Sequence, residues 1–258
     1  MSTLLLAAVA TLVFCAPGYP GGAGDAQPFV DQFATATAAM AGWPAGSLTA
    51  VYDPTEKGGL AKLGNADAEL AFVPYPFFVQ YAAKLHLTPL AQAQVIDVGS
   101  QERWTLVGKA GAVPPSPASL SGYTLLSVAG YAPDFVRRAA LGHWPLPPDV
   151  KIEATGQILS ALRRIAAGEQ VLALLDQTQA TALPSLPFAA GLQTLTQSPA
   201  LPVALVTVVG GRLSEPRARA VQAGLLKMGH AAGEADTLRQ LRLQGFMLPQ
   251  IPAQPATP

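Results

Sequence analysis

Residues 150–187 hold the pattern that most restricts the fold of this chain. Val150–Ala154 alternates apolar and polar as a strand does, and Ile158, Leu159, Leu162, Ile165 and Ala166 then recur at helical spacing. Thr155 stands where that helix would take its N-cap, and Gly168 where it would take a left-handed stop. Gln170–Leu175 is a short apolar run suited to a buried parallel strand, and Asp176 follows as the cap of a second helix, Gln177–Leu183. The outcome is a strand-helix-strand-helix unit, which points to an α/β fold.

Such a unit puts Thr155 and Asp176 at the carboxyl ends of neighbouring parallel strands, where open α/β sheets bind ligands. Gln157 and Gln177 sit in the same two loops and join them as candidate ligand-binding residues. The plainer alternative is that Thr155 and Asp176 only cap helices, a common role for both residue types.

The first half of the chain repeats the theme. Leu12–Ala16 reads as a strand, Pro17–Gly24 as a glycine-rich loop containing Tyr19, Gly21 and Gly22, and Ala26–Ala41 as a helix. Free N–H groups at a helix start make an anion cradle there conceivable, but no G-K-[ST] follows, so a phosphate loop is excluded and a turn needing glycine dihedrals explains the run. Ser47–Tyr52 and Ala68–Val73 are expected strands, and Thr55–Leu63 and Phe77–Leu85 expected helices. The aromatic residues Tyr75, Phe77, Phe78 and Tyr81 follow a strand's carboxyl end, where they would either wall a pocket or fill the core.

Two further strands are expected at Gln94–Val98 and Arg103–Gly108, with a crossing segment at Ala110–Ser119. A second series then begins with a strand at Thr124–Val128 and a helix at Asp134–Leu141. Beyond Leu183 come a weak strand, Leu192–Thr196, a second crossing near Ser198–Pro202 and a β-branched strand, Val203–Val209. Helices at Glu215–Met228 and Asp236–Leu243 and a flexible tail over 249–258 close the chain. The expectation is two lobes, each a mostly parallel sheet flanked by helices: 11–109 with 203–248, and 110–202. Two crossings would make a hinge, with the ligand in the cleft between the lobes.

Composition narrows the function. With 12% charged residues and zero formal net charge, the chain lacks the basic footprint of a nucleic-acid binder, so no nucleic-acid partner is expected. The single cysteine, Cys15, excludes an internal disulfide and lies in an apolar run as a buried small hydrophobe. His86, His143 and His230 show no metal-ligand spacing, so neither a metal nor a cofactor is expected. No nucleophile-base pair emerges, which argues against an enzyme. Met1–Ala10 is a short apolar stretch ending Ala8-Val9-Ala10, like a signal cleavage site without a basic leader, and reads as a signal-peptide remnant.

The order of elements, with Glu69–Val79 (Glu-Leu-Ala-Phe-Val-Pro-Tyr-Pro-Phe-Phe-Val) and Ala161–Glu169 leading to Ala173-Leu-Leu-Asp176, resembles the substrate-binding proteins of phosphate and phosphonate ABC importers. The resemblance spans about residues 11–248 and implies the type II periplasmic binding protein fold. It implies a monomeric, periplasmic, non-enzymatic receptor that closes on a small molecule and presents it to a membrane permease, or a sensor or scaffold of the same fold with a protein partner. Family members carry a Ser-Thr-Ser-Gly type run at the start of the second lobe's first helix; the matching stretch here is Val128-Ala-Gly-Tyr-Ala-Pro133. The family's tyrosine after a Gly-Pro turn falls on Phe77, and the turn's glycine on Val73. Those losses of polarity point to a ligand less polar than phosphate or phosphonate, held by Tyr19, Tyr75, Phe77 and Tyr131 with hydrogen bonds from Thr155, Asp176 and Gln177.

Overall fold

The computed structural model describes residues 9–18, 21–111, 116–230 and 232–252. The chain opens with β1 (Ala10–Cys15), α1 (Ala23–Met40), β2 (Leu48–Asp53), α2 (Glu56–Leu63), β3 (Ala68–Pro74) and α3 (Tyr75–Leu85). β1 lies between β2 and β3 and is parallel to both. Side chains alternate across this strand: Leu12 and Phe14 join the core under α1, whereas Val13 and Cys15 face the core shared with the second sheet. Phe14, Phe33, Phe72 and Phe246 fill the α1 side with ring centroids 5.1–6.2 Å apart.

β4 (Thr88–Val95) leads into β5 (Gln101–Glu102) and β6 (Thr105–Lys109), followed by β7 (Thr124–Ser127). A wide π-type helical turn, Phe135–Ala140, precedes β8 (Lys151–Ala154), α4 (Ile158–Ala167), β9 (Val171–Leu175) and α5 (Gln177–Ala182). β10 (Leu192–Gln197), β11 (Leu201–Pro202), β12 (Ala204–Val208), α6 (Glu215–Lys227), α7 (Ala232–Gln240) and β13 (Leu243–Met247) complete the fold.

One six-stranded sheet has the order β13-β4-β12-β3-β1-β2, and one five-stranded sheet the order β10-β6-β9-β7-β8. In the first, β12 runs against β3 and β4, and β13 against β4, leaving four strands in a common direction. In the second only β6 opposes the rest. The expected mixed α/β architecture of two mostly parallel, helix-flanked sheets is therefore present.

β9, with all five residues buried, is sandwiched between β6 and β7, and α4 covers it with Ile158, Ala161, Leu162 and Ile165. Gly168 ends α4 at φ 95°, a conformation open to glycine at little cost, so the expected stop is in place.

Several boundaries differ from expectation. Thr105–Lys109 pairs with β9 and β10 in the five-stranded sheet, so the first crossing lies over 96–104 and not at Ala110–Ser119, and lobe II begins before residue 110. Residues 112–115 of the expected crossing lie outside the described residues. A two-stranded ribbon, β5 against β11, ties the two crossings together, with Glu102 opposite Leu201 and Gln101 opposite Pro202.

The strand expected at Gln94–Val98 begins earlier, at Thr88, because Ala91 and Gln92 pair with the buried β12. The helix expected at Asp236–Leu243 ends at Gln240, and Leu243 starts an edge strand against β4. The start of the expected tail is anchored: the Gln250 N–H donates to Gln92 Oε1 at 2.9 Å, and Ile251 packs on the core. Ala10, placed in the signal remnant by the sequence reading, is buried in β1 opposite Leu48; residues 1–8 lie outside the described residues. Among the described residues no helix is long and apolar enough to cross a membrane.

Candidate functional site

The carboxyl ends of β1 and β2 meet those of β7 and β8 across the gap between the sheets. They flank an open cavity of about 260 Å³ lined by Pro17, Gly18, Pro54, Thr55, Glu56, Val128, Tyr131, Ala154, Thr155 and Gly156. Both sheets contribute strand-end loops, as the general rule for open α/β sheets requires. The volume lies just below the range of drug-sized pockets, so the space suits a small molecule.

The walls are built by local capping chemistry. Thr55 caps α2, its Oγ1 accepting from the Gly58 N–H at 3.1 Å. Asp53 Oδ1 receives the Thr55 N–H at 2.9 Å and its hydroxyl at 2.7 Å, while Oδ2 pairs with Lys62. Burial pushes the Asp53 carboxyl up, but the bonds from Lys62 and Thr55 outweigh it and hold the group below its ordinary range. Glu56 accepts from the Tyr81 hydroxyl, and burial together with that carboxylate pushes the Tyr81 phenol up. Both carboxylates beside the cavity are thus engaged within their own lobe.

On the opposite wall Thr155 is not the cap of α4; Gln157 takes that position, and Thr155 Oγ1 instead accepts from the Gln157 N–H at 3.0 Å. The hydroxyl closes a tight turn in which N–H and side chain lie two residues apart, so the helix starts later than the cap rule suggests. Ser127 is fully buried, donating to the Leu174 carbonyl at 2.7 Å and accepting from the Ala129 N–H at 3.1 Å.

The lobes touch at the cavity's edge. A Cβ on Gly18 would stand 2.6 Å from the Val128 carbonyl oxygen, and Gly18 has φ 85°, so glycine is needed there for both space and backbone. Gln80 Oε1 also accepts the Asp134 N–H at 2.9 Å, and Phe135 meets Tyr75 and Trp104 edge-on at 6.2 and 5.1 Å. These contacts join the two lobes beside the cavity.

Of the residues marked from sequence, Tyr131 and Thr155 line the cavity. Tyr19 lies outside the described residues; Gly21 and Gly22 are exposed at the start of α1, with Gly22 as its N-cap. Tyr75 and Phe77 are buried in the core and do not line this cavity. α3 starts at Tyr75 without an intervening loop, so its ring stacks on Phe78 at 6.1 Å, and Phe77 packs on Tyr81 at 4.8 Å. Gln157 is exposed beside the lining.

Asp176 and Gln177 sit beside the β5–β11 ribbon instead. Asp176 caps α5 in a full capping box with Gln179, and the Gln177 N–H points to Glu102 Oε2 at 3.5 Å. Burial raises the Asp176 carboxyl above its ordinary value.

Sequence reasoning did not single out Gly18, Thr55 and Glu56 as lining residues, or Glu102 on the β5–β11 ribbon. Thr55 and Glu56 follow a strand's carboxyl end just as Thr155 does, so the same rule would have found them. Glu102 carried no signal, because its burial comes from pairing with a segment about a hundred residues away.

No protein-family model matches the chain, and no curated protein matches it. Solved structures do. XAC2383 from Xanthomonas citri, bound to chloride ion, is 13% identical with a TM-score of 0.69, over 95% of this chain and 92% of that one. The binding protein of an ABC phosphonate transporter from Pseudomonas aeruginosa is 14% identical with a TM-score of 0.61, over 94% and 82%. A histidine kinase sensor domain with similarity to periplasmic binding proteins is 14% identical with a TM-score of 0.53, over 94% and 99%. The two-sheet architecture with two crossings is the type II periplasmic binding protein fold. At these identities the likeness is one of fold.

Proposed function

We propose that this chain is an extracytoplasmic solute-binding protein that closes its two lobes on a small ligand and delivers it to a membrane permease of the ABC import type. The observation that carries the reading is the convergence of strand-end loops from both sheets on one cavity, with Gly18 and Val128 in contact at its edge. Neighbours of this fold are binding proteins, which supports a receptor over an enzyme.

The ligand is less polar than phosphate or phosphonate. The residues lining the cavity include one carboxylate, Glu56, and neither lysine nor arginine. A desolvated dianion needs several donors, and few are offered here: the Thr55 hydroxyl already donates to Asp53, and the Thr155 hydroxyl, which accepts the Gln157 N–H, has a single O–H to give. Tyr131 and Thr155 remain the residues placed to orient a ligand, while Pro17, Pro54 and Val128 supply apolar wall.

Native mass spectrometry of protein purified from its own source, with identification of any small molecule released on denaturation, tests this reading. A neutral or weakly polar compound that raises the melting temperature on re-addition supports it. Stabilisation by micromolar inorganic phosphate or methylphosphonate, lost in Tyr131→Ala, would overturn the ligand assignment.

A second reading is a sensor module of the same fold with a protein partner, favoured by the likeness to the histidine kinase sensor domain. It predicts an empty cleft and no thermal gain with small molecules.

A further inference from the structure

The hinge holds a polar cluster that the cleft reading does not use. Glu102, on the two-stranded ribbon β5–β11, is 4% exposed. Its Oε2 receives only the long 3.5 Å contact from the Gln177 N–H, and its Oε1 is buried without a partner. The Trp104 indole Nε1 is likewise buried; it makes no hydrogen bond of good geometry but lies near enough to Glu102 to favour its charged form, against the larger effect of burial.

The charged and titratable groups around Glu102 are few. From α5 come Asp176 and the Gln177 N–H, and from beside β6 the Trp104 indole. Its chain neighbour Arg103 turns away, donating from Nη1 to the Ser198 carbonyl at 2.8 Å, and the facing residues Leu201 and Pro202 carry no charge. A carboxylate buried beside a second carboxylate, with no cation facing it, is costly to keep ionised.

We propose that Glu102 is a proton-linked latch of the hinge, neutral while the lobes are closed and ionised when they open. On the proposed reading of a closing receptor, Glu102 lies on the ribbon that joins the two crossings and against the start of α5, so a rotation at that ribbon would change its burial. Burial, and next the charge of Asp176, push the Glu102 carboxyl up to about 8 from its ordinary 4.5 in the closed form. A solvated carboxyl in the open form would titrate near its ordinary value. The sign follows from the raised closed-state value: closure is fully favoured below about pH 4.5, weakens by up to about tenfold per pH unit above it, and levels off above about pH 8.

The test uses purified full-length protein without added ligand. Fluorescent labels at Lys57→Cys on α2 and Ser160→Cys on α4, both exposed residues flanking the cleft, report lobe separation by energy transfer from pH 5 to 9.5. The expected result is a fall in transfer with rising pH in the wild type, a flat and closed profile in Glu102→Gln, and a smaller total fall in Asp176→Asn, where the charge that helps raise the closed-state value is gone. A wild-type profile that is flat, or one that Glu102→Gln reproduces, overturns the proposal. Should Glu102→Gln fail to fold, carboxyl carbon NMR of the wild type decides: a Glu102 signal whose titration midpoint coincides with the fall in transfer supports the latch, and one that titrates while lobe separation stays constant overturns it. A pH response confined to global melting, with lobe separation constant, also overturns it.

Discussion

Gly18→Ala should prop the cleft open while leaving each lobe folded. Two penalties act on the alanine. The left-handed φ of 85° costs a non-glycine residue about 1–2 kcal/mol. The new methyl would stand 2.6 Å from the Val128 oxygen, 3.2 Å from its Cβ and 3.3 Å from its carbonyl carbon. Ordinary contact begins near 3.4 Å, so the closest gap must widen by roughly 0.8 Å, and overpacking of that kind costs about 1–3 kcal/mol if the lobes stay shut.

Because Gly18 follows β1 and Val128 follows β7, rotation at the hinge relieves the overlap without disturbing either sheet. Opening then removes the steric part, and a bias of about 1.4 kcal/mol lowers the closed-to-open ratio about tenfold. Gly21→Ala is the control: its φ is 131°, but nothing lies within 4 Å of the added Cβ, so it carries backbone strain with no lobe contact. Small-angle scattering and interlobe energy transfer should show an expanded Gly18→Ala and a Gly21→Ala like the wild type, with both losing similar, small amounts of urea stability. A Gly18→Ala protein as compact as Gly21→Ala would refute the claim that this contact sets closure.

Other positions give sharper tests of packing. A Cβ at Gly59 would lie 2.0 Å from Cys15 Sγ, so Gly59→Ala should lose about 1–3 kcal/mol in urea unfolding, and Cys15→Ala in the same chain should restore part of it; additive losses would show that the two residues do not touch. Cys15 should resist thiol reagents in the native state, since burial, then Asp53 and Glu56, push its thiol up to about 12 from 9.0, cutting the thiolate fraction by about three orders of magnitude; labelling as fast as in urea contradicts this. Arg212 Nη1 donates to the carbonyls of Leu63, Asn65 and Ala68 at 3.0, 2.7 and 2.9 Å, clamping the turn before β3, so Arg212→Ala should cost about 1.5–3 kcal/mol by chemical denaturation; a loss under 0.5 kcal/mol would show the clamp to be idle.

The elements of the second lobe were legible because their signals are local. The alternation over Val150–Ala154, the helical recurrence from Ile158 to Ala166, the stop at Gly168 and the cap at Asp176 each follow from the nearest few residues, and each reappears in the fold with boundaries moved by a residue or two. The strand-end rule pointed to Thr155 and the family resemblance to Tyr131, and both line the cavity. It misplaced Tyr75 and Phe77, since whether an aromatic ring at a strand end turns to solvent or to the core depends on what arrives opposite it. Here Phe135 arrives and takes Tyr75 inward.

What the sequence by itself determined is the α/β class, the two-lobed order of elements and the mostly neutral chemistry of the loops, because periodicity, capping and composition are written in neighbouring residues. What only the tertiary structure decided is everything that depends on distant segments meeting. The assignment of Thr105–Lys109 to the second sheet comes from pairing with Val171–Leu175 and Leu192–Gln197, the edge strand at Leu243 from pairing with β4, and the need for glycine at position 18 from the arrival of Val128. The burial of Glu102 is of the same kind: an ordinary glutamate in the sequence becomes a carboxyl with no cation facing it only when the chain, about a hundred residues later, returns to cover it.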